Sequence, residues 1–81
     1  MPTDCVDIKA YDVQNTLIFH QIYSIENWYE EMHPIIDYNR FRVRYKVATI
    51  EGIRYDAQGS QQRWIATYAE DGSLIEALDK D

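Results

Sequence analysis

Polar and apolar residues alternate most regularly between Arg40 and Thr49. Apolar side chains occupy every second position of this segment, and basic side chains stand between most of them. A period of two is typical of a β-strand with one buried and one solvated face. The pattern therefore predicts a strand over residues 40–49. Its apolar face would consist of Phe41, Val43, Tyr45, Val47 and Thr49.

A shorter alternation predicts a first strand at residues 5–10. The apolar face of that strand would carry Val6, Ile8 and Ala10. The next apolar segment, residues 16–23, is open to two interpretations. Its β-branched and aromatic residues favour a strand paired with residues 5–10, whereas its isoleucines also fall at the spacing of a helix from Asp12 to His33. We favour the strand.

A helix is predicted from Ile25 to His33. Ser24 is suited to cap its N-terminus, and Glu26 places a negative charge in the first turn, where the helix dipole favours one. Pro34 would end the helix, because proline cannot continue its hydrogen bonds. The inward face of this helix would carry Ile25, Trp28, Tyr29 and Met32.

The connection after residue 49 is predicted to be a loop formed by residues 50–52, because this length keeps the apolar residues of the next strand on one face. Gly52 would take the left-handed conformation that such a loop needs. In this register Asp56 would pair with Lys46 across the two strands, and Arg54 would extend the basic face.

Residues 57–61 are predicted to form a loop, followed by a hairpin whose strands are residues 63–68 and 74–78. Asp71 and Gly72 lie between these strands. This dipeptide suits a type I′ turn, in which both central residues take positive φ. The sequence therefore predicts a tight hairpin in the last part of the chain.

Together these elements predict an α+β fold in a single domain over residues 1–81. Its sheet would be an antiparallel meander of about four to five strands packed against one helix. Trp28 and Trp64 lie on the apolar sides of their elements and are predicted to be core residues. Residues 79–81 would form a frayed tail.

Composition supports a folded chain, since 46% of the residues are hydrophobic and 14% are aromatic. Cys5 is the only cysteine, and the N-terminus has no signal-peptide pattern. The apolar runs are far shorter than the roughly 20 residues that cross a bilayer. We therefore expect a cytoplasmic protein without a membrane partner.

No segment carries a motif for phosphate binding, for a cofactor or for nucleophilic catalysis. His20 and His33 are far apart in the chain, and Glu30 alone stands at helical spacing before His33, which is a weak signal for a metal site. Cys5 lies in no motif that would make it a nucleophile. We therefore predict a chain that is not an enzyme and that uses neither a cofactor nor a metal.

Charge is divided unevenly along the chain, whose net charge is −6. Acidic residues dominate before Tyr38 and after Tyr68, and most basic residues lie between these positions. The predicted register places the main basic residues on one face of the sheet. They are Arg40, Arg42, Arg44, Lys46 and Arg54. Like charges on one face repel each other, so this patch is either balanced by nearby acids or bound by a partner.

The basic patch and the lack of catalytic motifs favour a non-catalytic protein–protein interaction module, such as a small adapter, inhibitor or antitoxin-like modulator. Its partner would be another protein with an acidic patch. The alternative is a nucleic-acid-binding module that contacts phosphates through the strand from Arg40 to Lys46, although an acidic chain is repelled by nucleic acid at long range. Self-association is compatible with both hypotheses.

Overall fold

One antiparallel sheet of five strands organises the computed structural model, which describes residues 4–80. The strands are β1 (Cys5–Tyr11), β2 (Leu17–Ser24), β3 (Thr49–Tyr55), β4 (Gln61–Tyr68) and β5 (Leu74–Lys80), in the order β2-β1-β3-β4-β5. The α+β fold with an antiparallel sheet is confirmed. Residues 16–23 fall largely in β2, so the alternative helix from Asp12 to His33 is wrong.

The predicted C-terminal tail, residues 79–81, lies at the end of β5. Residues 79 and 80 continue β5 alongside β4, and the fraying of residues 79–81 stays a prediction. Residue 81 lies outside the described residues.

Three short helices fill the connection from β2 to β3: α1 (Ile25–Glu30), α2 (Pro34–Asp37) and α3 (Asn39–Tyr45). Within residues 4–80, no helix has the length and apolar character needed to cross a bilayer. All three pack on the same side of the sheet, which we call the covered face.

Helix α1 begins where the sequence predicts, because the Ser24 hydroxyl accepts a hydrogen bond of 3.2 Å from the backbone N–H of Asn27. It ends at Glu30, earlier than predicted, because Glu31 already takes an extended conformation. His33 is extended as well, as a residue before proline usually is. Tyr29 and Met32 are 72% and 61% exposed, so their predicted inward position is wrong.

Helix α3 replaces the strand predicted over residues 40–49, and that prediction is wrong. Arginine, the commonest residue of this segment, has a high helix propensity. Phe41 and Tyr45 lie one turn apart with their rings stacked at 6.5 Å. Lys46 ends the helix in the left-handed conformation, with φ of 57°, and turns the buried Val47 into the core. Alternation of period two therefore does not exclude a helix.

The core lies between the helices and the covered face of the sheet. It consists of Val6, Ile8, Ala10, Ile35, Val47 and Ile50. The strand face predicted for β1 is confirmed by this set. Trp28 and Trp64 pack against the cluster but are only partly buried, so they form its border and not its centre.

Gly52 lies in the middle of β3 and not in a loop, so its predicted left-handed conformation is wrong. It pairs with Ile8 of β1 and with Trp64 of β4. The indole ring of Trp64 lies so close that a Cβ on residue 52 would overlap it. Side-chain packing therefore requires this glycine. The predicted pair of Asp56 and Lys46, which depended on the loop, is also wrong.

The three hairpin loops share one backbone shape. The fourth of the five loop residues takes positive φ in each: Asn15 at 64°, Gly59 at 88° and Gly72 at 83°. Its N–H donates to a carbonyl three residues earlier, at 2.9 to 3.0 Å. Asp12 and Asp56 open the first two loops, and the carboxylate of each accepts two backbone hydrogen bonds from its own loop. Local sequence thus determines these two loops.

The hairpin of β4 and β5 is confirmed, and Ile65 lies opposite Leu78 in it. Its type I′ turn is wrong, because Asp71 does not take positive φ. Instead, the Asp71 carboxylate accepts hydrogen bonds of 2.9 and 2.6 Å from the N–H and hydroxyl of Ser73. These bonds hold the pKa of Asp71 below its ordinary value.

Candidate protein-binding surface

The basic residues of the predicted binding face do not share a sheet face. Arg40 and Arg44 lie one turn apart on one side of α3, and Arg42 lies on another side. Lys46 is exposed at the C-terminus of α3. Arg54 lies in β3 opposite a buried residue of β1, on the covered face. The predicted sheet patch is therefore wrong, while the binding of a partner by these residues stays a prediction.

The guanidinium of Arg42 is occupied by the fold itself. Its Nε donates to the carbonyl of Gly72 at 2.8 Å, and its Nη1 donates to the carbonyls of Ile35 and Ile36 at 2.9 and 2.6 Å. Carbonyls near the end of a short helix lack partners within the helix, so Arg42 supplies hydrogen bonds that α2 cannot make. Arg42 therefore joins α2, α3 and the β4–β5 loop and is not available to a partner.

Tyr68 and Gly72 also lie next to the guanidinium of Arg42. We call the side of α3 that carries Arg42, together with these two neighbours, the inner side of α3. The ring of Tyr68 lies 4.4 Å from the guanidinium carbon, which is within the range of a cation–π contact. Burial raises the pKa of the Tyr68 phenol, and the charge of Arg42 opposes this rise less strongly. A Cβ on residue 72 would overlap the side chain of Asn39 at the start of α3.

Arg40 and Arg44 form the outer side of α3. Their guanidinium carbons lie 5.6 and 5.9 Å from the centre of the Phe41 ring, and both side chains belong to exposed residues. Among residues 4–80, no carboxylate forms an ion pair with either of them. Two positive charges thus lie near one aromatic ring, and neither has an ion-pair partner within this range of residues.

An apolar groove of about 420 Å³ opens beside the outer side, between α3 and the edge strand β2. Phe41 and Tyr45 form its helical wall. The remaining walls are made by Ile18, Phe19, Gln21 and Tyr23 of β2 and by Pro34 and Ile35 of α2. Phe41 lies near both outer arginines and also lines the groove. The two positive charges therefore lie beside the helical wall of the groove, and we call this place its rim. The arginines themselves line a small separate hollow together with Phe41.

Arg54 belongs to a different hollow, of about 250 Å³, between α1 and the last three strands. Trp28 and Trp64 line this hollow together with Gln62 and Asp79. Arg54 does not line the groove at α3. The structure therefore separates Arg54 from the arginines with which the sequence analysis grouped it.

The two histidines make contacts within the fold. The Nε2 atom of His20 lies 2.8 Å from the Asp7 carboxylate. His33 is buried, with its Nε2 atom 2.9 Å from the carbonyl oxygen of Trp28 and its ring stacked on the Trp28 indole at 4.3 Å. In the described part of the chain, no three histidine, cysteine or acidic residues lie close enough together to hold a metal ion.

The groove itself was not predicted from the sequence. Two signals could have indicated it: Phe41 and Tyr45 stand at the i, i+4 spacing of one helix face, and residues 16–23 include no acidic residue, lysine or arginine. Only the packing of α3 against β2 brings the two segments together.

Comparison of the chain with protein-family models, curated proteins and solved structures found no match. The role of the surface is therefore inferred from its own chemistry: two guanidinium groups without an ion pair in the described residues, an aromatic ring next to both, and an apolar groove that this ring lines.

Proposed function

We propose that this chain is a non-catalytic module that binds another protein through the outer side of α3 and the adjoining groove. The observation that carries the proposal is the placement of Arg40 and Arg44 next to Phe41, a residue that also lines the groove. The single cysteine is in keeping with a reducing compartment, so we place the module in the cytoplasm.

The chemistry of the rim favours an acidic partner. A guanidinium presents paired N–H donors that match the two oxygens of a carboxylate, and such charge-assisted bonds are stronger than neutral ones. In open water an ion pair of this kind contributes little. Beside the groove, an apolar side chain of the partner would displace water and strengthen the contact.

Arginine and aromatic residues are also the types that dominate the energetics of protein interfaces. Arg40, Phe41, Arg44 and Tyr45 supply both types within one exposed helical surface. We therefore place the contact here and not at the predicted set as a whole, since Arg42 is engaged by backbone carbonyls and Arg54 lies in another hollow.

A test begins with selection of binders from a displayed library of random peptides of about ten residues, a length that spans one strand or a short helix. We expect selected peptides to combine Asp or Glu with apolar residues. Their affinity should fall at least about tenfold for the double variant Arg40→Gln/Arg44→Gln, since each lost charge-assisted bond is worth roughly 1.5–3 kcal/mol.

The matched control is Gln58→Glu/Gln61→Glu, which changes the net charge by the same amount at exposed positions around the β3–β4 loop. The control should bind as the parent does. If selected peptides bound the arginine variant as tightly as the parent, the proposed surface would be wrong.

A fluorescent single-stranded oligonucleotide serves as the competing ligand. Binding that is tighter to it than to any peptide, and that falls log-linearly with salt, would favour the nucleic-acid alternative.

A further inference from the structure

The two edges of the sheet differ in how they are protected. β5 carries Glu76 and Asp79, and charged residues of this kind discourage an edge strand from pairing with another chain. β2, at the opposite edge, has the sequence LIFHQIYS and carries no acidic residue, lysine or arginine. Its Ile22 is 56% exposed. β2 is therefore an edge on which an additional strand could form hydrogen bonds.

The groove lies directly along this edge. Alternate residues of β2, namely Phe19, Gln21 and Tyr23, line the groove on the covered face of the sheet. In an added strand, every second side chain would point to that same face and would meet the wall formed by Phe41 and Tyr45. Backbone pairing and side-chain burial would thus occur at one site.

We propose that the partner adds an extended segment to the free edge of β2, with apolar side chains at alternate positions in the groove and with Asp or Glu next to Arg40 and Arg44. This inference rests on the proposed function and specifies its partner. Strand addition derives affinity from main-chain hydrogen bonds and selectivity from the pockets that receive alternate side chains.

The irregularity in β2 limits the length of the segment. The register between β1 and β2 shifts between Ala10 and Tyr11, opposite the start of β2, and the regular ladder runs from Phe19 to Ser24. A segment of about six residues matches this ladder, and it is also a common strand length.

A second copy of the chain is a poorer occupant than an acidic segment. Two β2 strands paired antiparallel around a twofold axis would keep both covered faces on the same side of the combined sheet. The outer sides of both α3 helices would then approach the junction, and Arg40 and Arg44 of each copy would face like charges without a counter-charge.

The probe for a test is a synthetic peptide in which Ile and Thr alternate over about six positions between two Asp-Glu pairs, as the strand length requires. Its control has the same composition except that one central Thr is replaced by Pro, which removes a backbone donor. We expect the control to bind at least about tenfold more weakly, because one hydrogen bond and the extended fit are lost.

Amide hydrogen exchange followed by NMR gives the position of the contact. Peptide binding should slow exchange at alternate amides of β2, those that point to the free edge, and shift the signals of Phe41 and Tyr45. If both peptides bound equally and only α3 responded, strand addition would be wrong while the proposed surface stood.

Two further results would also overturn strand addition. One is the absence of binding by the alternating peptide at concentrations up to about 1 mM, near the weakest affinity that such an assay resolves. The other is protection of β2 amides that grows with protein concentration in the absence of peptide, which would identify a second copy as the occupant. Peptides selected from the random library then show separately whether the proposed function holds.

Discussion

The inner and outer sides of α3 carry the same residue type for opposite purposes. Arg42 donates three hydrogen bonds to backbone carbonyls of α2 and the β4–β5 loop, and Tyr68 covers its guanidinium. Arg40 and Arg44, two positions away on either side, are exposed and lie near aromatic rings. Charge alone therefore does not show that a basic residue binds a partner, because the groups around the residue determine its role.

The largest effect should come from Arg42→Ala. The substitution leaves the carbonyls of Ile35, Ile36 and Gly72 without their donor in a partly buried place. We expect the free energy of unfolding to fall by about 3 kcal/mol, since each unsatisfied buried group costs roughly 1–3 kcal/mol and part of that is recovered by water. Urea unfolding followed by tryptophan fluorescence measures the change.

Arg42→Lys is the conservative control for that loss. A lysine keeps the charge but lacks the planar set of donors, so it should recover less than half of the stability. If the free energy of unfolding of Arg42→Lys equalled that of the parent, charge alone would matter at this position. The hydrogen bonds of Arg42 would then not distinguish the inner side of α3 from the outer side.

A smaller effect is expected from Gly72→Ala, compared with Gly59→Ala. Both glycines have positive φ, which costs an alanine roughly 1 kcal/mol. At residue 59 a Cβ would meet open space, whereas at residue 72 it would overlap Asn39 and disturb the carbonyl that Arg42 holds. Gly72→Ala should therefore destabilise by about 1–2 kcal/mol more than Gly59→Ala. Equal melting temperatures for the two variants would show that the β4–β5 loop does not support the inner side.

Reversal of charge on the outer side should leave the fold nearly unchanged. Arg40→Glu and Arg44→Glu, taken singly, should each alter the free energy of unfolding by at most about 0.5 kcal/mol, as exposed substitutions usually do. Thermal unfolding followed by circular dichroism tests this. If the free energy of unfolding of either variant fell by more than about 2 kcal/mol, that arginine would have a structural role like that of Arg42.

The smallest effect concerns alkaline pH. Because burial raises the pKa of Tyr68, the folded state holds the phenol proton more firmly than the unfolded state does. The resulting stability is fully present below the unfolded pKa of about 10 and is lost as pH rises through the folded pKa. Tyr68→Phe should flatten the decline of stability above pH of about 10, which urea unfolding at a series of pH values measures.

Local sequence signals account for the parts of the fold that could be predicted. β1, the cap of α1 and the β4–β5 hairpin depend on neighbouring residues, and each was predicted in place. The arginines of α3 favour a helix locally, but Arg42 also donates to the carbonyl of Gly72, thirty residues away, so a short window of sequence does not contain everything that holds α3 in place. The same holds for Gly52, whose neighbour Trp64 lies on another strand.

The candidate surface was predictable in composition and not in arrangement. The sequence pattern grouped Arg40 and Arg44 into one basic patch with three further basic residues, which the fold places elsewhere. The groove forms only where β2 and α3 lie next to each other, which no local pattern indicates. Phe41 and Tyr45 belong to a period-two pattern, and they also stand at the i, i+4 spacing of one helix face. The sequence of this segment is therefore compatible with a strand and with a helix, and packing against the rest of the chain selects the helix.

The placement of all three helices in one connection has a consequence for how the chain folds. The β1–β2 hairpin and the β3–β4–β5 unit are each closed by short loops, and the ladder between β1 and β3 alone joins them into one sheet. This ladder pairs residues separated by the whole helical segment, so its formation bears the largest loss of chain entropy. We expect docking of β1 on β3 to limit the folding rate, so that Ile8→Val and Ile50→Val slow refolding while substitutions at the loop residue Gln58 do not. Stopped-flow refolding in which the loop variant was the slower one would show that a hairpin, and not this docking step, sets the rate.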